Sequence, residues 1–179
     1  MSPPGRLLRG DGVLLVKNLL FTILVPGTVT VVVPYLILRG TTAAIPQVWG
    51  AVQILGLVLG GAGLLIYVRC HWDFAAHGRG TPAPVDPPRI LVVRGLYRYV
   101  RNPMYLGVLL ILLGEVLFFE SLVLLLFVLP WLLLVHLFVI FHEEPSLRRR
   151  FGDSYEAYAS AVRRWVPGPP YRRAEAVDA

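Results

Sequence analysis

Four long apolar stretches, nearly free of charged side chains, constrain the fold of this 179-residue chain more than any other feature. A bilayer core about 30 Å thick is crossed by about 20 helical residues that rise 1.5 Å each. The stretches run from about Val13 to Leu38, Val48 to Val68, Met104 to Phe119 and Leu122 to Phe141. Only 16% of the residues are charged, against about 25% in ordinary soluble domains, which excludes a soluble globule. We expect an all-α, polytopic membrane helical bundle of about four transmembrane helices, forming one integral membrane domain over residues 1–179.

Short spacings predict how these helices meet. Only Glu120 and Ser121 separate the third stretch from the fourth, so we expect these two to form an antiparallel hairpin. Gly56 and Gly60 form a small-xxx-small pair that allows close approach of another helix, in this chain or in another. The oligomeric state stays open.

The net charge of +6 indicates a membrane surface and not nucleic acid, because the basic residues gather between the apolar stretches. They concentrate before the first stretch, in residues 69–101 and after the fourth stretch, whereas the other two connections hold only Arg39. Short basic loops stay in the cytoplasm, so we predict that both termini and the middle connection are cytoplasmic. Lys17 is the one lysine among 17 basic residues, a bias that favours a prokaryotic inner membrane.

The segment Arg94–Gly107 combines arginines and tyrosines just before the third stretch. Such residues anchor a helix at the membrane interface, which accounts for Arg98, Tyr99 and Arg101. The pair Asn102 and Pro103 instead indicates a helix start, whose free amides attract an anionic or polar ligand. The residues alone leave the anchor and the ligand site equally open.

The paired carboxylates Glu143 and Glu144 follow the fourth stretch, at a predicted helix C-terminus, where negative charge is unfavourable without a partner. That partner is either a nearby arginine, such as Arg148 at i+4 from Glu144, or a cationic or nucleoside-type ligand. A metal is disfavoured, because His142 and the glutamates lack the i, i+4 spacing of helical ligand sets.

Beyond Pro145 the sequence predicts a C-terminal amphipathic interfacial helix. Its apolar face comprises Leu147, Phe151, Tyr155, Tyr158, Val162 and Trp165. This helix either attaches to the membrane, packs on the bundle or covers a site formed by the two previous segments. Within the stretches, we assign His136 to packing, with a pocket role left open, and interpret Cys70 as a structural thiol.

The motifs GLYRYVRNPMYLG (95–107), EEPSLRRRFGDSYEAY (143–158) and VRRWVP (162–167) together resemble the isoprenylcysteine carboxyl methyltransferase and phospholipid N-methyltransferase superfamily. The resemblance covers residues 89–167. It implies an integral membrane enzyme that uses S-adenosylmethionine, held in a cytoplasmic-side pocket closed by the C-terminal segment. The acceptor it implies is a lipophilic or small molecule, an amine, thiol or carboxylate, reached at the lipid bilayer.

The same resemblance assigns the cofactor-binding residues. They are Arg89, Ile90, Leu91, Val92, Tyr97, Asn102, Pro103, Met104, Tyr105 and Glu143, with no metal ligand and no assigned catalytic residue.

Two positions depart from that family. Asn102 stands where the family usually has a titrating His, and Val139 stands where prenylcysteine enzymes have an Arg that holds the substrate carboxylate. We therefore favour an amine or thiol acceptor. Two other classes stay open: membrane sterol or steroid reductases, which bind NADPH and have a similar aromatic-Arg-x-Pro-x-Tyr-x-Gly string, and a non-enzymatic membrane scaffold.

Overall fold

The computed structural model describes residues 20, 22–41, 46, 48–73 and 91–172, and these residues contain helices and connections but no β-strand. The helices, in chain order, are α1 (Thr22–Arg39, including a π-helical turn at Thr28–Val32), α2 (Ala51–Asp73), a 3-10 turn (Gly95–Arg98), α3 (Pro103–Phe118), α4 (Leu122–Phe138), a π-helical turn (Val139–Glu143), α5 (Glu144–Phe151) and α6 (Asp153–Ala161).

The all-helical membrane bundle is confirmed. Within the described residues, three helical runs are long and apolar enough to cross a bilayer: α1, α2 and the 30-residue run Leu122–Phe151. Large apolar side chains on these runs point outward, among them Leu24, Leu65 and Leu133. Helix α3 is apolar but has 16 residues, or about 24 Å of rise, so a count of four spans stays a prediction.

Both π-helical turns end two residues before a proline. Pro34 follows the turn in α1, and Pro145 follows the turn at Val139–Glu143. A proline has no N–H to donate, and its ring crowds the carbonyl four residues earlier, so a widened turn lets the helix continue. The prediction that Glu143 and Glu144 lie at a helix C-terminus is therefore wrong, because the run continues through them to Phe151.

Helices α2 and α3 form the most extensive contact between described elements, and glycines on both helices make it possible. A Cβ on Gly63 would lie 2.5 Å from the carbonyl oxygen of Gly107, and one on Gly114 would lie 2.6 Å from that of Gly56. A Cβ on Gly60 would meet no atom of the described residues within 4 Å. The predicted pair therefore packs within this chain, with Gly56 and Gly63 making the tightest approach.

The predicted hairpin is confirmed, since residues 119–121 alone join α3 to α4. The hydroxyl of Ser121 caps α4 by accepting a hydrogen bond from the N–H of Leu124 (3.3 Å). The side chain of Gln53 donates to the Glu120 carboxylate, which ties the turn to α2.

The predicted amphipathic helix is two helices, α5 and α6, which meet at Gly152. Gly152 has φ +49°, a conformation outside a helix that favours glycine. The apolar face of α6 carries the buried Tyr155 and Tyr158 and packs against the protein's own residues Leu91 and Val93. The apolar face of α6 is therefore buried because other residues of the same protein cover it.

After α6, residues 163–171 run antiparallel to residues 98–102, and we call them the C-terminal strap. The N–H groups of Arg101, Gly168 and Tyr171 donate to the carbonyls of Arg163, Tyr99 and Arg98 respectively, at 2.8–2.9 Å. Trp165, predicted to lie on the amphipathic helix, belongs instead to this strap.

Candidate functional site

A cavity of about 540 Å³ lies where the six helices, with Tyr67 from α2, approach the segment before α3. This volume is within the range of sites that bind small molecules, about 300–1,000 Å³. Along α4 and the following π-helical turn, the lining residues extend from Trp131 to Glu143. Twelve residues of helical rise correspond to about 18 Å, so the cavity is elongated along the helix axis.

The two ends of the cavity differ in chemistry. The end near α5 and α6 presents polar side chains: Tyr97, Arg101, Asn102, Tyr105, His142, Glu143, Glu144, Ser146, Tyr155 and Tyr158. The other end lies between the apolar helices and presents Val25, Pro26, Val29, Val108, Trp131, Leu134 and Val135. The cavity can therefore hold a polar group at one end and an apolar group at the other.

The carboxylate of Glu143 faces the polar end of the cavity. The hydroxyl of Tyr105 donates a hydrogen bond to its Oε2 (3.1 Å). Among the residues that the structure describes, no basic side chain lies within ion-pair distance of Glu143. A carboxylate in this position suits a cationic or hydroxyl-bearing ligand.

Glu144, in contrast, is buried and fully engaged. It accepts hydrogen bonds from Arg101 Nη1 (3.0 Å), Arg164 Nε (2.6 Å) and Arg164 Nη2 (3.0 Å). The hydrogen bonds from Arg164 to Glu144 raise the pKa of Arg164, so this side chain stays charged. The predicted arginine partner is therefore confirmed for Glu144, but it is not Arg148, the example at i+4, which pairs with Glu156 at 3.3 Å. Partners from distant segments outcompete the i+4 arginine.

The start of α3 forms one wall of the polar end. Asn102 precedes the helix and Pro103 is its first residue, as predicted. Met104 and Tyr105 follow in the first turn of α3, where the backbone N–H groups have no acceptor within the helix. Both residues line the cavity. The side chain of Asn102 donates to the carbonyl of Arg164 (3.2 Å) in the strap. Asn102 thus joins the wall to the strap.

Tyr97 and Tyr158 form a second link between the wall and α6. The hydroxyl of Tyr158 donates to the carbonyl of Tyr97 (2.7 Å), and both residues are buried and line the cavity. Burial raises the pKa of both hydroxyls above the usual value near 10, so they are neutral donors at physiological pH. The ring of Tyr97 packs on Cys70, which is buried as a structural thiol would be.

Of the ten residues predicted to bind a cofactor, seven line this cavity: Leu91, Val92, Tyr97, Asn102, Met104, Tyr105 and Glu143. Pro103 is buried at the start of α3 and is not part of the lining. Arg89 and Ile90 lie outside the described residues. The structure therefore brings these seven together, while their role toward a cofactor stays a prediction.

Some residues of the cavity wall were not predicted as site residues. Arg101 was interpreted as a possible anchor, and Tyr155 and Tyr158 were placed on an apolar helix face. The three-residue spacing of Tyr155 and Tyr158, in a helix that the sequence analysis allowed to cover the site, was the signal that could have found them. His136 lies outside the lining, where its Nδ1 accepts a hydrogen bond from the Trp165 indole (2.9 Å) and holds the strap.

Comparison with known proteins gives two matches. The family described as phospholipid methyltransferase matches residues 51–154, more than half of the chain. An uncharacterized protein of Haemophilus influenzae is 41% identical over 63 residues, which cover 35% of this chain and 100% of that protein. No solved structure matches the chain.

Proposed function

The chain belongs to the phospholipid methyltransferase family, and from this premise we propose that it transfers the methyl group of S-adenosylmethionine to an acceptor drawn from the membrane. The acceptor is a lipophilic or small amine or thiol, and transfer takes place at the cytoplasmic face of a prokaryotic inner membrane. The observation that carries the proposal is the two-ended cavity, whose polar wall contains Glu143 and the start of α3.

The residues of the polar end fit the chemical groups of S-adenosylmethionine. This cofactor carries a carboxylate, an amino group, ribose hydroxyls and an activated methyl group on a positive sulfonium. The carboxylate of Glu143 suits the amino group or the ribose, and Tyr105 orients it by its hydrogen bond. The free N–H groups of Met104 and Tyr105 suit an anionic group.

Methyl transfer requires alignment of the two reactants and exclusion of water, and the described residues provide both. The buried Tyr97, Tyr155 and Tyr158 form a rigid aromatic wall at the polar end. Trp131 and the apolar residues of α1 and α4 offer the other end to a hydrocarbon group. A lipidic acceptor then reaches the polar end from within the bilayer.

Two side chains argue against a carboxylate acceptor and against base catalysis by Asn102. Val139 lines the cavity where a cationic clamp for a substrate carboxylate would be needed. The amide of Asn102 cannot titrate near neutral pH, and its nitrogen already donates to the strap. An acceptor that is nucleophilic without help from this residue, an amine or a thiol, agrees with both observations.

The proposal is tested by equilibrium binding to the purified protein in detergent, with S-adenosylmethionine, S-adenosylhomocysteine and NADPH as separate ligands. We expect the first two to bind and NADPH not to bind. Glu143→Gln should weaken S-adenosylmethionine binding by about tenfold or more, because it removes a charged hydrogen-bond acceptor. Tyr105→Phe should weaken it several-fold. Binding of NADPH alone would identify a reductase, and binding of no ligand would favour a scaffold.

Matched controls exclude general effects of these substitutions. Glu156→Gln removes an exposed carboxylate, and Tyr99→Phe removes an exposed hydroxyl; both side chains lie outside the cavity. We expect both variants to bind like the unaltered protein. Equal affinity of the Glu143 and Tyr105 variants and these controls would show that the cofactor binds elsewhere.

A further inference from the structure

The two adjacent glutamates have different partners although they belong to one helical run. Neighbouring residues in a helix point about 100° apart, so one side chain can face a ligand while the next faces protein. Among the described residues, the Glu143 carboxylate accepts a hydrogen bond only from the Tyr105 hydroxyl, whereas the Glu144 carboxylate accepts three hydrogen bonds from two arginines. Glu144 also lines the cavity, and the residue is 5% exposed.

The two arginines come from the two segments that form the polar wall. Arg101 immediately precedes the start of α3, and Arg164 belongs to the strap. Their segments are also joined by the N–H of Arg101, which donates to Arg163, and by the side chain of Asn102, which donates to Arg164. Glu144 is thus the common acceptor through which α5, the strap and the start of α3 meet.

The cluster formed by Glu144, Arg101 and Arg164 is positive overall, because the two arginines share one carboxylate. The side chains of Arg101 and Arg164 are 13% and 30% exposed, so water screens them only in part. Without Glu144, both positive charges would stand uncompensated, and Arg101 would do so in the cavity wall. A cationic ligand would then be repelled more strongly than a neutral ligand of the same shape.

We propose that Glu144 is a positioning residue and not a ligand of the cofactor. Its hydrogen bonds hold the strap against the start of α3. Its negative charge also offsets the positive charge of the two arginines beside the cavity, so the carboxylate of Glu143 determines the preference for a positively charged ligand. The identity of that ligand rests on the proposed function.

The first readout is amide hydrogen exchange of the ligand-free protein. In Glu144→Gln, the amides of Gly168 and Tyr171, which pair the strap with residues 98–99, should exchange at least several-fold faster. The amide of Leu124, in the distant hairpin, should keep its rate. Glu156→Gln, the matched control, should leave all three rates unchanged. Unchanged strap amides in Glu144→Gln would overturn the locking role.

The second readout compares S-adenosylmethionine with S-adenosylhomocysteine, which lacks the methyl group and the positive charge of the sulfonium. Glu144→Gln should lower the affinity for the charged ligand by on the order of tenfold more than that for the neutral ligand. The double variant Glu144→Gln/Arg164→Gln restores the original net charge while the strap stays loose. Its ratio of the two affinities should return to that of the unaltered protein.

The outcomes separate this inference from the function on which it rests. If neither ligand binds the unaltered protein, the proposed function fails, and the exchange rates still decide the locking role. If both ligands bind and Glu144→Gln weakens them equally, Glu144 does not act through charge. If the double variant fails to restore the ratio, Glu144 contacts the ligand itself and the positioning role is wrong.

Discussion

Tyr158 shows how a single hydroxyl supports the cavity wall. It donates a buried hydrogen bond to the carbonyl of Tyr97, and phenylalanine at this position would leave that carbonyl without the donor. We expect Tyr158→Phe to lower the free energy of unfolding by about 1–2 kcal/mol, measured by denaturant titration in detergent. Tyr35→Phe, which alters an exposed hydroxyl, should have no measurable effect. Equal stability of the two variants would show that the hydrogen bond contributes nothing.

The buried tyrosines also predict a dependence of stability on alkaline pH. Burial raises the pKa of Tyr97 and Tyr158 in the folded state above the unfolded value near 10. Neutral hydroxyls therefore stabilise the fold fully below about pH 10, and this contribution is lost as the pH rises further. Unfolding titrations between pH 8 and about 11 should show falling stability, with a shallower fall in Tyr158→Phe. The same slope in both proteins would contradict this assignment.

At the scale of elements, the glycines of α2 determine how closely it packs on α3. A methyl group on Gly63 would clash with the backbone of Gly107, which cannot move without separating the helices. We expect Gly63→Ala to destabilise the protein by about 1–3 kcal/mol or more, measured as thermal unfolding in detergent. Gly61→Ala adds the same methyl group where no atom of the described residues lies within 4 Å, so it should leave the melting temperature unchanged or raise it slightly, because alanine is the better helix former. Equal melting temperatures would show that α2 and α3 pack differently.

The corner between α5 and α6 depends on Gly152. A Cβ on Gly152 would meet no atom within 4 Å in the part of the chain that the structure describes, but the φ of +49° strains any residue that carries a side chain. Gly152→Ala should therefore cost about 1–2 kcal/mol of stability through the backbone alone. Gly168→Ala, equally open in space and without positive φ, is the control and should cost little. Equal free energies of unfolding of the two variants would show that α5 and α6 can join into one straight helix without loss of stability.

The elements and the site differ in how much the sequence could predict. Apolar runs and the two-residue connection predicted the helices and the hairpin, because these follow from local composition. The break at Gly152 was missed, since a lone glycine fits a helical pattern as well as a corner. The partners of Glu144 lie 43 and 20 residues away in sequence, so local spacing pointed wrongly to Arg148. The residues that line the cavity were found through motifs, whereas their contacts required the fold.

For the molecule as a whole, we predict that the hairpin turn and α5 lie on opposite sides of the membrane. Single cysteines at positions 120 and 149, both exposed, test this in a Cys70→Ala background. A membrane-impermeant thiol reagent applied to sealed inverted vesicles should label position 149, and one applied to intact cells should label position 120. Labelling of both positions from one side would contradict the predicted orientation and an odd number of crossings between them.

We propose that one cavity joins a methyl donor to an acceptor from the bilayer. The most direct test incubates membranes containing the protein with S-adenosylmethionine labelled in its methyl group and then measures label in the extracted lipid and in the small-molecule fraction. We expect transfer by the unaltered protein and by Glu156→Gln, and loss of transfer in Glu143→Gln. Absence of transferred label with the folded, unaltered protein, or full transfer by Glu143→Gln, would contradict it.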